Sequence, residues 1–271
     1  MNNKTVIDKF RKLIGDRNVL TKEWNKLPYS KGWRYGAGNT LAVLKPDKLS
    51  DIWRILQICV EHDIIVIMQA ANTGLTGGST PFGDDYDRPV LIVNTMRINN
   101  IHIINQGSQI VGLTGSTLYD LENKLKPYGR EPHSIIGSTS IGASIIGGIC
   151  NNAGGSLVQR GPSYTEMALY AKINKNGKLE LVNELEIDLG SKPEDILDNL
   201  QNQNYEESDI RNTNRLGSDD KYSKIVREID KNTPARFNSD SRLLHGASGS
   251  AGKIAVFAVR LDTYLSPIDN K

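Results

Sequence analysis

Two glycine-rich segments carry the residue types best suited to holding a ligand. Residues 137–155 read GSTSIGASIIGGICNNAGG, and residues 70–80 read AANTGLTGGST. Neither segment contains Lys, Arg, Asp or Glu, so a bound group would be held by backbone amides, small hydroxyls and asparagine side chains. Glycine lets the main chain approach a ligand closely, and successive N–H groups in one concavity bind anions such as a diphosphate. Two loops of this character predict one shared ligand.

A third small-residue segment, LLHGASGSAG, occupies residues 243–252. No G-x-G-x-x-G motif follows the first predicted strand, which argues against a Rossmann dinucleotide site. The string ASGSAGKI at 247–254 approaches a P-loop, but Ile254 stands where Mg²⁺ requires Ser or Thr, and a strand is predicted to follow instead of a helix. Tight turns alone would account for any one of these loops, whereas three in one chain favour a ligand.

The titratable side chains give one candidate for proton transfer. His133 lies just before the longer glycine loop and, as a histidine, could titrate near neutral pH. A packed histidine that shapes the loop is the favoured alternative. The other three histidines (His62, His102 and His245) are scattered without ligand partners at metal-binding intervals, so no metal site is predicted.

The elements before the first loop predict a βαβ unit. A strand at 40–44 is followed by a helix that Ser50 would cap and that runs to about His62. The uninterrupted apolar run at 64–68 predicts a strand covered on both faces. Such a unit places the first glycine loop at the carboxyl end of a parallel strand, where ligands of α/β sheets bind. Upstream, we predict a helix at 4–14 and an extended lead-in at 21–38.

The rest of the chain predicts mostly antiparallel structure. A strand at 90–94 precedes a hairpin at 101–104 and 109–113, and Thr117 with Asp120 forms a capping box for a helix from 118 to about 126. Segments 167–173 and 179–182 flank an Asn-Gly turn and predict a second hairpin. Residues 198–221 are strongly polar and predict a solvated excursion, order returns at 225–229, and a strand at 254–261 closes the sheet.

Composition limits the class of protein. The 271 residues are 38% apolar with a net charge of +2, which predicts a globular chain with no nucleic-acid footprint. No apolar run approaches the length of a membrane span, and the N-terminus lacks the apolar core of a signal peptide. Cys59 and Cys150 lie among apolar or small residues and are expected to be reduced thiols.

Longer strings carry a family resemblance. QAANTGLTGGSTPFGDDYDRPVLIVNTMRINNI, GREPHS, NNAGGSLVQRGP and AVFAVRLDT resemble the FAD-binding domain of the quinone-dependent D-lactate dehydrogenases, within the p-cresol methylhydroxylase/vanillyl-alcohol oxidase superfamily. The resemblance implies an α+β, PCMH-type FAD-binding fold of two α/β subdomains with FAD between them. It implies one module over 1–271, with a core at 36–207, a polar insert at about 198–222 and a returning strand at 254–261.

The resemblance also implies which residues contact FAD. The first loop is expected to wrap the diphosphate, the second to contact the diphosphate, ribityl chain and flavin ring, and a residue of the last strand to touch the adenine side. The implied set is Ala70, Ala71, Asn72, Thr73, Gly74, Gly78, Ser79, Gly137, Ser144, Gly154 and Val256. Some superfamily members attach flavin covalently, but the family indicates non-covalent FAD, so attachment at Cys150 is disfavoured.

The implied activity is respiratory oxidation of D-lactate to pyruvate, with electrons passed to membrane quinone by an enzyme peripheral to the cytoplasmic side of the bacterial inner membrane. The resemblance places the substrate-cap and membrane-association regions outside this chain, which is itself expected to be soluble. The cap would be supplied in cis or in trans. A different 2-hydroxy-acid substrate, a non-catalytic flavin-binding subunit and a truncated product remain open alternatives.

Overall fold

The computed structural model describes residues 3–134, 138–156, 160–219, 221–232 and 243–267. Its helices are α1 (Asn3–Ile14), α2 (Glu23–Ser30), α3 (Leu49–Glu61), α4 (Leu118–Leu125), α5 (Ile145–Cys150), α6 (Pro193–Gln201) and α7 (Tyr222–Ile225). Its strands are β1 (Val19–Leu20), β2 (Ala42–Leu44), β3 (Ile65–Gln69), β4 (Val90–Asn94), β5 (Ile101–Ile104), β6 (Gln109–Leu113), β7 (Arg130–Glu131), β8 (Ala168–Ile173), β9 (Leu179–Asn183), β10 (Ala255–Asp262) and β11 (Tyr264–Leu265). No helix among these residues is long and apolar enough to cross a bilayer.

The first sheet has the order β1-β2-β4-β3. Strands β2 and β3 both pair with β4 in parallel, and β1 pairs with β2 antiparallel. The predicted βαβ unit is therefore present, but β4 is inserted between its two strands. Because β2, β3 and β4 are parallel, their carboxyl ends meet at one edge of the sheet, and the first glycine loop leaves β3 there.

The second sheet has the order β5-β6-β10-β8-β9 and is antiparallel throughout. Both predicted hairpins, β5-β6 and β8-β9, are confirmed. The returning strand β10 lies in the middle of the sheet, because it pairs with β6 on one side and β8 on the other. A small ribbon of β7 and β11 lies outside this sheet.

The core consists of two apolar clusters on opposite faces of the second sheet. Along β8, Leu169 and Ala171 face a cluster shared with α1, α3 and the first sheet, whereas Ala168 and Tyr170 face a cluster shared with α4 and α5. Successive strand residues point to opposite faces, so one strand contributes to both clusters. The first cluster therefore joins the two sheets into one body.

The structure corrects two predictions near the N-terminus. The lead-in at 21–38 is not extended throughout, since α2 forms within it despite Pro28. Ser50 does not cap α3, which begins one residue earlier at Leu49. The first amide of α3 instead donates to Gln201 Oε1 of α6 at 2.6 Å, a partner 152 residues away that local sequence does not reveal.

Three other predictions need adjustment. Strand β3 is largely half-buried, because it is the edge strand of its sheet. The polar stretch 198–222 is tied to the domain, since the Glu166 amide donates to Leu216 O at 2.8 Å and the Asp262 amide donates to Gly217 O at 3.0 Å. Of the ordered segment predicted at 225–229, only Ile225 belongs to a helix, as the last residue of α7.

Candidate cofactor site

The first glycine loop begins at the carboxyl end of β3 and is shaped by its own polar side chains. Asn72 has a positive φ of 55°, a conformation that asparagine tolerates better than most residues. Its Nδ2 donates to Lys31 O at 2.8 Å, and its Oδ1 accepts a hydrogen bond from Ser79 Oγ at 2.7 Å. The asparagine therefore connects the start of the loop to its end and to the lead-in.

The segments after β4 and β6 connect the two glycine loops. The Thr95 amide donates to Gln69 O at 2.8 Å, next to the first loop, and Thr95 Oγ1 donates to Thr114 O at 3.2 Å. Two residues on, Ser116 O accepts a hydrogen bond from the Ile145 amide at 3.0 Å, at the start of α5. The end of β3, where the first loop begins, and the start of α5, which belongs to the second loop, are thus linked through the segments that follow β4 and β6.

Gly115 permits this close packing. A Cβ at this position would overlap Thr95 O and lie 2.8 Å from Met96 Cα. The two segments can approach each other this closely only because residue 115 has no side chain.

The second glycine loop leads into α5 through Ser144. Ser144 Oγ accepts a hydrogen bond from the Gly147 amide at 3.1 Å and so caps the helix, which leaves its own O–H available to donate. The third loop packs on the other end of this helix, because the Gly249 amide donates to Ile149 O at 3.1 Å and the Ala251 amide donates to Cys150 O at 2.9 Å. The second and third glycine-rich segments therefore meet at α5, and the end of β3, before the first segment, is linked to Thr114 through Thr95.

The structure places the expected cofactor residues in two groups. In the first loop, Ala70, Ala71 and Thr73 are partly buried, and Gly74 and Gly78 are exposed. In the second group, Ser144 and Val256 are buried, and Val256 belongs to the same apolar cluster as Ile145 and Ile149 of α5. Gly154 is exposed, and Gly137 lies outside the described residues.

The glycines of these loops fit a site that receives a bulky ligand. Gly74 and Gly154 do not have positive φ, and a Cβ at either position would meet no heavy atom of the described residues within 4 Å. Neither backbone conformation nor packing in this structure explains the absence of a side chain there. A ligand that approaches the backbone closely would require glycine there.

A buried polar atom gives independent support for a ligand. Asn152 follows α5, is 5% exposed and has a positive φ of 47°. Its Oδ1 has no hydrogen-bond partner in the described structure. A buried carboxamide oxygen without a donor is costly, so a ligand that donates a hydrogen bond would suit this position. The residues present therefore fit a nucleotide cofactor such as FAD.

His133 is buried beside the second loop. It is 4% exposed, its Nε2 is 3.1 Å from Ser134 Oγ, and its Nδ1 has no hydrogen-bond partner among the described residues. Burial, with a smaller effect from the Arg160 charge, lowers the pKa of His133 to about 4. The imidazole is therefore neutral at neutral pH and enclosed by protein, which supports a structural role.

The thiols and metal candidates show no reactive arrangement. Burial raises the pKa of Cys150 to about 11, so its thiol is protonated at neutral pH and is a weak nucleophile for covalent flavin attachment. Burial likewise raises the pKa of Cys59, to about 12. Within the described ranges, no group of three His, Cys, Asp or Glu side chains is placed to hold a metal.

Sequence reasoning missed the residues that connect the loops. Gln69, Thr95 and Gly115 carry the contacts described above, and Asn94 lies opposite Gln69 in the parallel register of β3 and β4, but sequence reasoning singled out none of them. The small-residue string TGST at 114–117 was a usable signal, since it resembles the glycine loops in composition. The pairing of Gln69 with Asn94 depends on strand order, which the string alone does not give.

Comparison with known proteins identifies relatives of this arrangement. A family model described as FAD binding domain matches residues 40–180. The chain is 57% identical over 264 residues to the quinone-dependent D-lactate dehydrogenase of Haemophilus influenzae, covering 97% of this chain and 47% of that protein. It is 53% identical over 263 residues to the enzyme of the same name from Escherichia coli, covering 97% and 46%. The chain thus spans about half the length of the curated relatives it matches.

A solved structure shows the same fold at low sequence identity. The crystal structure of p-cresol methylhydroxylase with substrate bound superposes with a TM-score of 0.60 at 15% identity, over 97% of this chain and 44% of that one. This likeness shows the PCMH-type fold, as predicted from the sequence.

Proposed function

Because this chain belongs to the FAD binding domain family, we propose that it is the flavin-binding part of an enzyme that oxidises D-lactate to pyruvate and passes the electrons to a quinone. The observation that carries the proposal is the close identity, over nearly the whole chain, to two enzymes named quinone-dependent D-lactate dehydrogenase. FAD is the cofactor of this family. We also propose that the quinone lies in the membrane and that the enzyme lies on the cytoplasmic side of that membrane.

The cofactor would be held mainly by neutral groups. The first loop would supply its amides and the Thr73 hydroxyl to the diphosphate, and the second would supply the Ser144 hydroxyl and the amides near Gly154. The Ser79 hydroxyl donates to Asn72 Oδ1, so Ser79 would contribute its amide. Because neither loop contains a cation, main-chain dipoles and hydroxyls must balance the two diphosphate charges. When bound, FAD accepts a hydride from the substrate, and the protein positions the substrate and manages its hydroxyl proton.

We propose that His133 has a structural role and is not the general base of this reaction. A general base must be within reach of the proton that it removes. His133 is enclosed and hydrogen-bonded to Ser134, so we propose that it shapes the approach to the second loop. The groups that bind the lactate carboxylate and remove the proton are proposed to lie in the half of the relatives' length that this chain does not match.

The absorbance spectrum of the purified chain tests the cofactor assignment. We expect FAD to co-purify or to bind on addition, with a flavin spectrum that shifts relative to free FAD. A chain that stays colourless and leaves the fluorescence of added FAD unchanged would contradict the assignment.

The substrate assignment is tested in the protein encoded by the whole gene. D-lactate is expected to bleach the flavin anaerobically and to reduce a quinone analogue, whereas L-lactate serves as the stereochemical control. A panel of larger D-2-hydroxy acids separates the alternatives. Faster bleaching by one of them would indicate a different substrate, and bound flavin that none of them reduces would indicate a non-catalytic flavin-binding subunit.

A further inference from the structure

Two buried carboxamides mark the point where the first glycine loop leaves the sheet. Gln69 and Asn94 are the last residues of β3 and β4 and lie opposite each other in the parallel register. They are 1% and 4% exposed. Buried polar side chains are costly unless they are hydrogen-bonded, so their partners show what the pair does.

The side chain of Gln69 connects the end of the loop, α2 and Asn94. Its Nε2 donates to Ser79 O at 2.7 Å, at the end of the loop, and to Tyr29 O at 2.8 Å, in α2. Its Oε1 accepts a hydrogen bond from Asn94 Nδ2 at 3.1 Å. The amide orientation is fixed, since the flipped side chain would direct its oxygen at two carbonyl oxygens.

Asn94 completes the arrangement from the neighbouring strand. Its Nδ2 also donates to Ala70 O at 3.1 Å, at the start of the loop, and its Oδ1 accepts from the Met96 amide at 3.4 Å. All four side-chain N–H donors of Gln69 and Asn94 are therefore used. The two residues thus bind the first and last residues of the loop through hydrogen bonds within the protein.

We propose that Gln69, oriented by Asn94, is a positioning residue that closes the 70–79 loop into its FAD-binding conformation before the cofactor arrives. This inference rests on the proposed function, which supplies FAD as the ligand. The closed conformation of the loop depends only on hydrogen bonds within the protein. A loop ordered in advance loses less conformational entropy on binding, so the pair is expected to contribute to FAD affinity although neither side chain needs to touch FAD. The alternative is that the pair only terminates the sheet, in which case its loss would affect stability and leave FAD affinity unchanged.

Gln69→Met tests the proposal, because it keeps the length of the side chain and removes both donors. We expect the dissociation constant for FAD, measured by quenching of flavin fluorescence, to rise roughly 10- to 100-fold, as expected for the loss of two buried hydrogen bonds. Gln57→Met on the exposed face of α3 is the matched control and should bind FAD as the parent does.

Hydrogen exchange on the FAD-free chain separates the loop from the fold. In Gln69→Met, amides at 70–80 should exchange faster while those of β4 keep their protection. Asn94→Ser is a milder second variant should Gln69→Met fail to fold, and it should raise the dissociation constant in the same direction. Unchanged FAD affinity in a folded variant, or loop amides that exchange as in the parent, would overturn the proposal. A parent chain that binds no FAD would instead overturn the proposed function, while the exchange experiment would still test the closure.

Discussion

Glycine has two different purposes around the cofactor site, and single substitutions should separate them. Gly115 is required by packing, because a Cβ there would overlap Thr95 O. A Cβ at Gly74 or Gly154 would meet none of the described residues within 4 Å, so a side chain at those positions would clash with a bound ligand and not with the described part of the protein.

Gly74→Val and Gly154→Val should therefore abolish FAD retention while the FAD-free chain keeps its thermal stability. Gly115→Ala should instead lower the free energy of unfolding by about 1–3 kcal/mol, the usual cost of overpacking. Flavin absorbance after gel filtration and thermal unfolding of the FAD-free chain measure the two effects. Normal flavin content in Gly154→Val would refute the ligand assignment at that residue.

The pH dependence of stability should report the buried histidines. Burial lowers the pKa of both His133 and His102 to about 4 from 6.5, so the unfolded chain binds protons below pH 6.5 that the folded chain does not. Their contribution to stability is complete above pH 6.5 and is lost as the pH falls toward 4. At pH 5 each of these histidines should lower the free energy of unfolding by about 2 kcal/mol relative to pH 7.

Denaturant unfolding of His133→Gln at pH 7 and pH 5 checks this expectation. The variant should lose about 2 kcal/mol less between the two pH values than the parent does. Its flavin content should stay near that of the parent, because we assign His133 a structural role. Equal pH dependence in the two proteins would contradict the burial effect, and lost turnover with FAD still bound would make His133 catalytic.

At the scale of single elements, Ser144 caps α5 and is also one of the proposed FAD contacts. Its Oγ accepts the Gly147 amide, and its O–H is available to the diphosphate. Aspartate caps helices as well as serine does, but its charge would repel a diphosphate.

Ser144→Asp should therefore keep the stability of the FAD-free chain and weaken FAD binding. Ser144→Ala should lose about 1 kcal/mol of stability, because it removes the cap acceptor. Isothermal titration with FAD and denaturant unfolding distinguish the two variants. If Ser144→Asp binds FAD as tightly as the parent, Ser144 does not face the diphosphate.

Local sequence patterns predicted most of the helices and strands, but not which of them pair or pack together. The Thr117 N-cap is confirmed, since Thr117 Oγ1 accepts a hydrogen bond from the Asp120 amide at 3.1 Å, and such a cap is decided within one turn of the helix. The reciprocal half of the predicted capping box is not formed, because Asp120 Oδ2 accepts from Thr117 Oγ1 at 2.7 Å and not from the Thr117 amide. The Gln201 cap of α3 and the insertion of β4 between β2 and β3 depend on distant residues, so no window of the sequence reveals them. The same limit hid Gln69, which looks like the end of an apolar strand until Asn94 is placed beside it.

At the scale of the whole molecule, the two sheets share one apolar core. Ile55 of α3 and Phe257 of β10 are almost fully buried in the same cluster, although they belong to different sheet units. The cofactor loops also come from both units, the first from β3 and the second from the region before α5. Folding of the two units and formation of the site are therefore expected to be coupled.

Thermal unfolding should accordingly be a single transition, and FAD should raise its midpoint temperature. Tryptophan fluorescence reports α3 through the buried Trp53, since Trp24 and Trp33 are exposed, and far-UV circular dichroism reports the whole chain, so coincident midpoints are expected. Ile55→Ala should lower both midpoints together, at a cost of about 2–5 kcal/mol for an emptied core position. FAD at a hundred times its dissociation constant should stabilise the parent by about 2.7 kcal/mol and should not stabilise Gly74→Val. Two separate transitions would show that the shared apolar cluster does not join the two sheets into one cooperative unit, because units with independent cores unfold independently.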